Sequence, residues 1–408
     1  MRIAVIGGGA SGMVAALSAA ENAEVTIFEH MQRMGKKLLL TGSGRCNISN
    51  ADMDMKHFHS GNASIVESVL KKCPQELTLS FFEDRGLYIK DKRGYLYPYS
   101  ESASAVLDVL RFAIRDTDID VLTDTDIRHI ESDGIVFTVT TNDVRFEFDR
   151  VILCCGSNAA RNTGSDGSGY SLAKNLGHEV IKPLPALTNL KCEEDWYPSI
   201  AGIRTGASIS IFESLDGNHA WSLLGSEEGE LQFTKAGISG IAVFNLSHMA
   251  VKSLDQHKKV KAVIDLLPEI SQFEIHDFLR KRIDNIKERT AEELFIGLLA
   301  KPLGICICKR CGIDLRRKCS SLSDDVIVDL GRMVKDFETV ITSSGGFEEC
   351  QCVQGGVSLN EVDENLESRI VPGLYFAGEI LDVNGDCGGY NLQWAASSGM
   401  LAGREAAK

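Results

Sequence analysis

No stretch of the sequence reaches the roughly 18 consecutive apolar residues that a membrane-spanning helix needs. The nearest, Leu294 to Cys308, is broken by Lys301 and Pro302. The apolar start from Ile3 to Ile6 runs at once into glycines, too brief for the apolar core of a secretory signal. Both absences point to a cytoplasmic protein without a membrane partner. Positive charge is also in short supply, since 43 Lys and Arg against 57 Asp and Glu leave a net charge of -14. Such a field repels nucleic acid, so the expected partner is a small molecule. Twelve cysteines in 408 residues are too few for a disulfide scaffold and read as reduced thiols.

What is present is an ordinary globular composition, 44% hydrophobic and 25% charged, long enough for two or three cores. Arg2 to Ile6 predicts a buried parallel strand, followed by glycines and an alanine-rich helix from Ser11 to about Ala20. Glu24 to Glu29 predicts the second strand, Ile65 to Arg85 helical structure, and Leu87 to Pro98 a hairpin. A helix from Ser102 to Arg115 leads to a strand meander around Ile127, Ile130 and Phe137, and Val151 to Gly156 resumes the central sheet. The next stretch, to about Ser247, reads as short strands, and Ser271 to Cys319 as helical. Gly373 to Glu379 reads as a final buried strand, with a helix from about Asn391 to Ala407. The expected organisation is α/β: residues 1–187 and 346–408 form a split Rossmann-type domain. A β-rich domain, 188–345, is inserted between them and carries a helical insertion at about 265–322.

Gly7, Gly9 and Gly12 form G-x-G-x-x-G between strand and helix, where backbone N–H groups and the helix dipole receive a pyrophosphate. Glu29 ends the second strand 17 residues later, the place of an acidic residue that bonds ribose hydroxyls and disfavours a 2′-phosphate. A second glycine-rich element, Thr41-Gly42-Ser43-Gly44-Arg45-Cys46-Asn47, follows closely, as a cofactor longer than NAD would need.

With Lys36-Lys37, Gly378-Glu379 and Gly388-Gly389-Tyr390-Asn391-Leu392-Gln393, these motifs resemble the BaiN-like (YhiN-like) FAD-dependent oxidoreductases, in order and over nearly the whole chain. Thr163 to Tyr170 matches as well. The resemblance implies a glutathione-reductase-like FAD domain interrupted by a β-rich and a small helical domain. It also implies cofactor contacts. Gly7 to Gly12, with Ala10 and Ser11, would hold the pyrophosphate, Glu29 the ribose, and Thr41 to Asn47 the flavin side. Gly378 and Glu379 would hold the ribityl and phosphate region, and the N–H groups of Asn391, Leu392 and Gln393 the pyrimidine edge. His30, Lys36, Lys37, Ile127 and Gly156 complete that set. The chain departs from the family pattern at Lys235 and Ile241, where a histidine and a proline are usual, and at Val353, where a threonine is usual.

Other constellations point to packing. Cys306, Cys308, Cys311 and Cys319 match no standard metal-ligand spacing, so no metal is expected. Cys46 has no partner cysteine before Cys73 and reads as a contact residue, Cys154-Cys155 as core, and His57 and His59 as solvated loop residues. The implied activity is reduction of a C=C bond in an enone or steroid-like substrate by hydride from flavin N5, with NAD(P)H as transient donor. The alternatives are an amino-ketone oxidase and, against the net charge, an RNA-modifying flavoprotein. No catalytic side chain is singled out.

Overall fold

The computed structural model describes all 408 residues except 216–219. The chain divides into two compact units, 1–185 with 347–408, and 186–346.

The first unit is built on a five-stranded parallel sheet. Its strands lie in the order Leu374–Phe376, Arg150–Leu153, Arg2–Ile6, Glu24–Phe28, Ile119–Leu122. Ile3, Val5, Ile27, Ile152 and Phe376 are fully buried, as expected of strands covered on both faces. The first helix, Ala10–Ala19, and the last, Tyr390–Ala406, pack on each other through small residues. A Cβ at Gly399 would come 2.5 Å from the Ser11 carbonyl oxygen, and one at Gly403 would overlap that of Ala15. Residue 399 on 11 and residue 403 on 15 define two helices running in the same direction. By helix rise, the last helix begins roughly 13 Å ahead of the point where it meets Ser11. The strand meander is a three-stranded antiparallel sheet, and Ile89–Lys92 pairs with Tyr95–Pro98 as a hairpin.

The second unit is a closed six-stranded barrel of Leu190–Cys192, Gly237–Ser239, Ser222–Phe233, Arg204–Ser214, Lys259–Asp265 and Phe337–Ser344. Alternate residues such as Ala207, Ile209 and Ile211 fill its interior with Phe233, Phe337 and Tyr197. Two parts of this unit differ from the sequence reading. Two strands expected to be short run to 11 and 12 residues, and Ile241 begins a helix, Ile241–Asp255, instead of another strand. Its first turns, Ile241-Ala242-Val243-Phe244, are an apolar run whose length alone does not separate strand from helix. The helical segment also extends further, through Asp324–Lys335. There Asp324 and Asp325 favour the helix amino end, and Ile327, Leu330 and Val334 form the buried stripe. Buried Lys335 pairs with Asp265 at 2.5 Å and donates to the Leu267 carbonyl, tying that helix to the barrel.

Substituting Gly403→Ala is expected to destabilise the protein by about 1–3 kcal/mol, because the methyl has no room against Ala15. Thermal unfolding checks it: a raised Tm, the usual result of Gly→Ala in an open helix, would contradict this packing.

Candidate functional site

Four adjacent parallel strands end at the residues singled out from sequence: Gly7 after Ile6, Glu29 after Phe28, Gly156 soon after Leu153, and Gly378 soon after Phe376. The carboxyl edge of such a sheet is where open α/β folds bind ligands.

Gly7 has φ +106°, a value that favours glycine, and its N–H donates to the Phe28 carbonyl. A Cβ on Gly12 would overlap the Gly7 oxygen, whereas one on Gly9 would meet nothing within 4 Å. The loop is thus closed toward the sheet and open at Gly9. The first helical turn carries no acidic residue, so the N–H groups of Ala10, Ser11 and Gly12 are not competed for by a nearby carboxylate. Buried Glu29 accepts from the N–H of Gly8 at 2.9 Å and of Met31 at 2.8 Å. Each oxygen keeps a lone pair for a ribose hydroxyl. His30 stands 3.7 Å from Asp126 and 3.9 Å from Asp166, and Ile127 is half-buried against the core.

Lys36 precedes a 3₁₀ stretch, Lys37–Gly44, and Lys37 donates to Glu379 at 2.5 Å. Ser157 adds a hydrogen bond to the same carboxylate oxygen at 3.0 Å. Gly42, Ser43, Gly44 and Cys46 all take positive φ. Two non-glycine residues in that region mark strain stored at a functional loop. Cys46 is fully buried, and burial pushes its thiol up to about 11 against a lowering hydrogen bond with Thr41. Arg45 is exposed, 5.9 Å over the Tyr97 ring.

Gly378 is held from the last helix, its N–H donating to Ser398 and its carbonyl accepting from Trp394. That helix starts after Gly389, φ +102°, and also lacks an acidic first turn. Its open donors are Tyr390, Asn391 and Leu392. Gln393 does not fit the role expected from sequence, because its N–H closes the first helical bond to the Gly389 carbonyl. Its side chain is a buried hub bonded to Ser49, Thr78 and Ser397. The Asn391 side chain brackets both backbone groups of Gly385. Leu392 lines an apolar pocket with Ala10, Leu38, Cys46 and Ile48.

His57 and His59 are not the solvated loop residues expected. His57 contacts Asp386 through Nδ1 at 2.9 Å and Asp52 through Nε2 at 3.2 Å, and His59 contacts Asp386 at 2.8 Å. Burial opposes the charge of Asp386, but hydrogen bonds from His59 and His57 outweigh it and hold the carboxyl below its usual range.

Among the described residues, four buried polar atoms of this unit have no hydrogen-bond partner: Asn47 Oδ1, Asn158 Oδ1, the Tyr170 hydroxyl and Arg85 Nε, the last in a guanidinium that bonds the Phe81 carbonyl through another nitrogen. Buried groups without partners are rare, which makes Asn47, Asn158 and Tyr170 candidates for ligand contacts. Asn158 and Tyr170 escaped sequence reasoning, although Tyr170 closes the matched Thr163 to Tyr170 stretch. With the opening at Gly9 and two helix amino ends, they fit an extended, anionic dinucleotide such as FAD. Elsewhere the thiols are packed: Cys308 and Cys319 donate to the carbonyls of Ala291 and Thr290. Among the described residues no group of three or more His, Cys, Asp or Glu is arranged to hold a metal ion. Also among them, no helix is long and apolar enough to cross a membrane.

Glu29→Gln keeps the shape but removes the charge, so FAD affinity is expected to fall on the order of 10-fold, read by titrating flavin-free protein. Cys46 is expected to resist iodoacetamide in folded protein at pH 8 and to label only as pH nears about 11, where its thiolate forms. Peptide mass spectrometry across pH checks this, and full labelling at pH 8 would contradict the burial.

The family model described as HI0933-like protein Rossmann domain matches residues 1–405. A 3-dehydro-bile acid delta(4,6)-reductase of Clostridium scindens is 39% identical over 411 aligned positions, spanning 100% of this chain and 99% of that protein. A ribosomal RNA dihydrouridine synthase of Haemophilus influenzae is 25% identical over 97% of this chain and 95% of its own length. Among solved structures, a 3-ketosteroid delta1-dehydrogenase from Sterolibacterium denitrificans in complex with 1,4-androstadiene-3,17-dione aligns with TM-score 0.51. The identity is 11% over 99% of each chain, a likeness of fold alone. A family model covering nearly the whole chain and a relative matched end to end agree with the motifs: the chain belongs to the HI0933-like Rossmann family, the group to which its BaiN-like resemblance pointed.

Proposed function

We propose that this FAD-dependent oxidoreductase reduces the C=C bond of an α,β-unsaturated carbonyl compound, an enone or steroid-like molecule, with NAD(P)H as electron donor. The observation that carries this reading is the end-to-end, 39% identity to a reductase whose name gives a 4,6-unsaturated bile acid. When bound, FAD would supply the hydride for the β-carbon of such a substrate, whose α-carbon would take a proton. The chain contributes the setting. Gly7 to Gly12 and the first helix receive the pyrophosphate, Glu29 holds the ribose, and the strained Thr41 to Asn47 loop fixes the flavin side. The amino end of the last helix, free of acidic residues in its first turn, stabilises negative charge at the pyrimidine edge. Lys37, Glu379 and Ser157 form a bonded polar group beside Gly378 for the ribityl and phosphate region.

A second reading has one specific support. From 280 to 318 the sequence holds eleven Lys and Arg but five Asp and Glu, so the charge that argues against nucleic acid is unevenly spread. A basic segment is the footprint expected for phosphate contacts, and a relative matched along its length is named as a ribosomal RNA dihydrouridine synthase. The uracil C5=C6 bond is itself conjugated to a carbonyl, so the same hydride chemistry serves either substrate.

Anaerobic mixing of the yellow protein with NADH and NADPH, followed by a steroidal 4,6-dien-3-one, is expected to bleach and then restore the flavin's visible band. Bleaching without restoration by the steroid, but with dihydrouridine formed in ribosomal RNA, would favour the second reading. No bleaching by either nicotinamide would sink the donor assignment.

A further inference from the structure

His57, His59 and Asp386 form a cluster that the proposed reduction leaves unused. Strand Phe58–Ser60 pairs antiparallel with Val383–Gly385, and the Asp386 N–H donates to the His57 carbonyl. The cluster therefore sits where the chain enters the last helix, Asp386 lying three residues before Gly389, the residue that caps it. The His57 ring stacks on Tyr390, the first helical residue, with centroids 4.5 Å apart and planes 19° apart. The Asp386 side chain is 11% exposed and that of His57 20%.

Hydrogen-bond chemistry restricts the state of this group. An ionised carboxylate only accepts, so each imidazole nitrogen facing one must carry a hydrogen. His57 faces Asp386 with one nitrogen and Asp52 with the other. Both contacts are hydrogen bonds at once only in the doubly protonated ring, and a neutral ring satisfies just one of them, so the cluster has two states that differ by one proton. The other groups facing the cluster are Asp54 and Lys56 on its own segment, Tyr95 from the hairpin, and Cys387 and Tyr390 from the segment entering the helix. Asp52 is 57% exposed, so the cluster has a contact with solvent.

We propose that His57, clamped between Asp386 and Asp52 and seconded by His59, is a proton-coupled charge at the amino end of the last helix. Protonation of this cluster and negative charge at the flavin's pyrimidine edge favour one another. A hydride equivalent entering the site adds one negative charge; the cluster balances it with one proton taken from solvent, and releases that proton when the hydride leaves for the substrate. No bond in the protein other than an N–H is made or broken. Linkage then requires that the flavin be easier to reduce when the cluster is protonated, at lower pH, and that reduction raise the affinity of the cluster for its proton. His57 and Asp386 act as positioning residues in this scheme, since they work through the helix end. The inference rests on the proposed placement of FAD.

The test is the flavin midpoint potential of the holoprotein against pH, in the unaltered protein and in H57Q, D386N and H57F. Phenylalanine keeps a ring against Tyr390 but cannot carry a proton, so it separates stacking from charge. The potential of the unaltered protein is expected to fall with pH more steeply than that of any variant over the interval in which the cluster exchanges its proton. Equal slopes in all four would overturn the proposal while leaving the enzyme's assignment intact. Absence of bound flavin would overturn both. Should a variant fail to fold, electrode reduction of the unaltered protein in weak buffer decides: uptake of a second proton per flavin while the absorption spectrum stays that of the anionic reduced flavin supports the coupling, and a single proton at every pH removes it.

Discussion

The site depends on the close approach of two helices that are far apart in sequence. Gly399 and Gly403 let the last helix lie with its backbone against that of the first, at Ser11 and Ala15. Because the helices run in the same direction, their positive ends point the same way, set apart along the axis by the turns that precede residue 399. Only an extended ligand reaches both. A dinucleotide with adenosine at one end, an electron-accepting ring at the other and a pyrophosphate between them fits this geometry, and Glu29, Gly156 and Gly378 follow the ends of adjacent strands of the parallel sheet. Side chains at residues 399 or 403 would push the helices apart and separate the two halves of the site.

Much of this was legible in the sequence because the chemistry is local. Gly7 and Gly12 announce a turn where a side chain does not fit, Gly9 leaves it open, and Glu29 follows at a fixed chain distance. Cys46 reads as a contact residue because no second thiol lies near it in sequence, and the structure buries it. What escaped was carried by partners remote along the chain. His57 and Asp386 are separated by 329 residues, so the carboxylate that removes His57 from solvent leaves no trace near it. Gln393 suggested a backbone donor because it opens the last helix, yet its N–H lies one residue past the open donors and its amide serves Ser49 and Thr78. Asn158 and Tyr170 become visible only through polar atoms left without partners. In the barrel, the helix Ile241–Asp255 was missed because an apolar run carries no period of its own.

The two units carry different kinds of information about function. The split domain, with its strained loop and its two helix ends, carries the features that fit FAD, and the hydride chemistry proposed for it rests on the relative of 39% identity. The inserted unit holds two of the three departures from the family pattern, Lys235 and Ile241, and the concentration of basic residues between 280 and 318.

The central claim is that the chain holds an extended dinucleotide from both ends, the adenosine end at Glu29 and the first helix, the flavin end at the Thr41 to Asn47 loop and the last helix. Calorimetric titration of flavin-free protein with FAD and, separately, with FMN tests it most directly. FAD is expected to bind one per chain and FMN at least about 100-fold more weakly, since FMN forgoes two or more charge-assisted contacts. Equal affinity for the two would contradict the account, for it would mean that the glycine turn and Glu29 hold nothing.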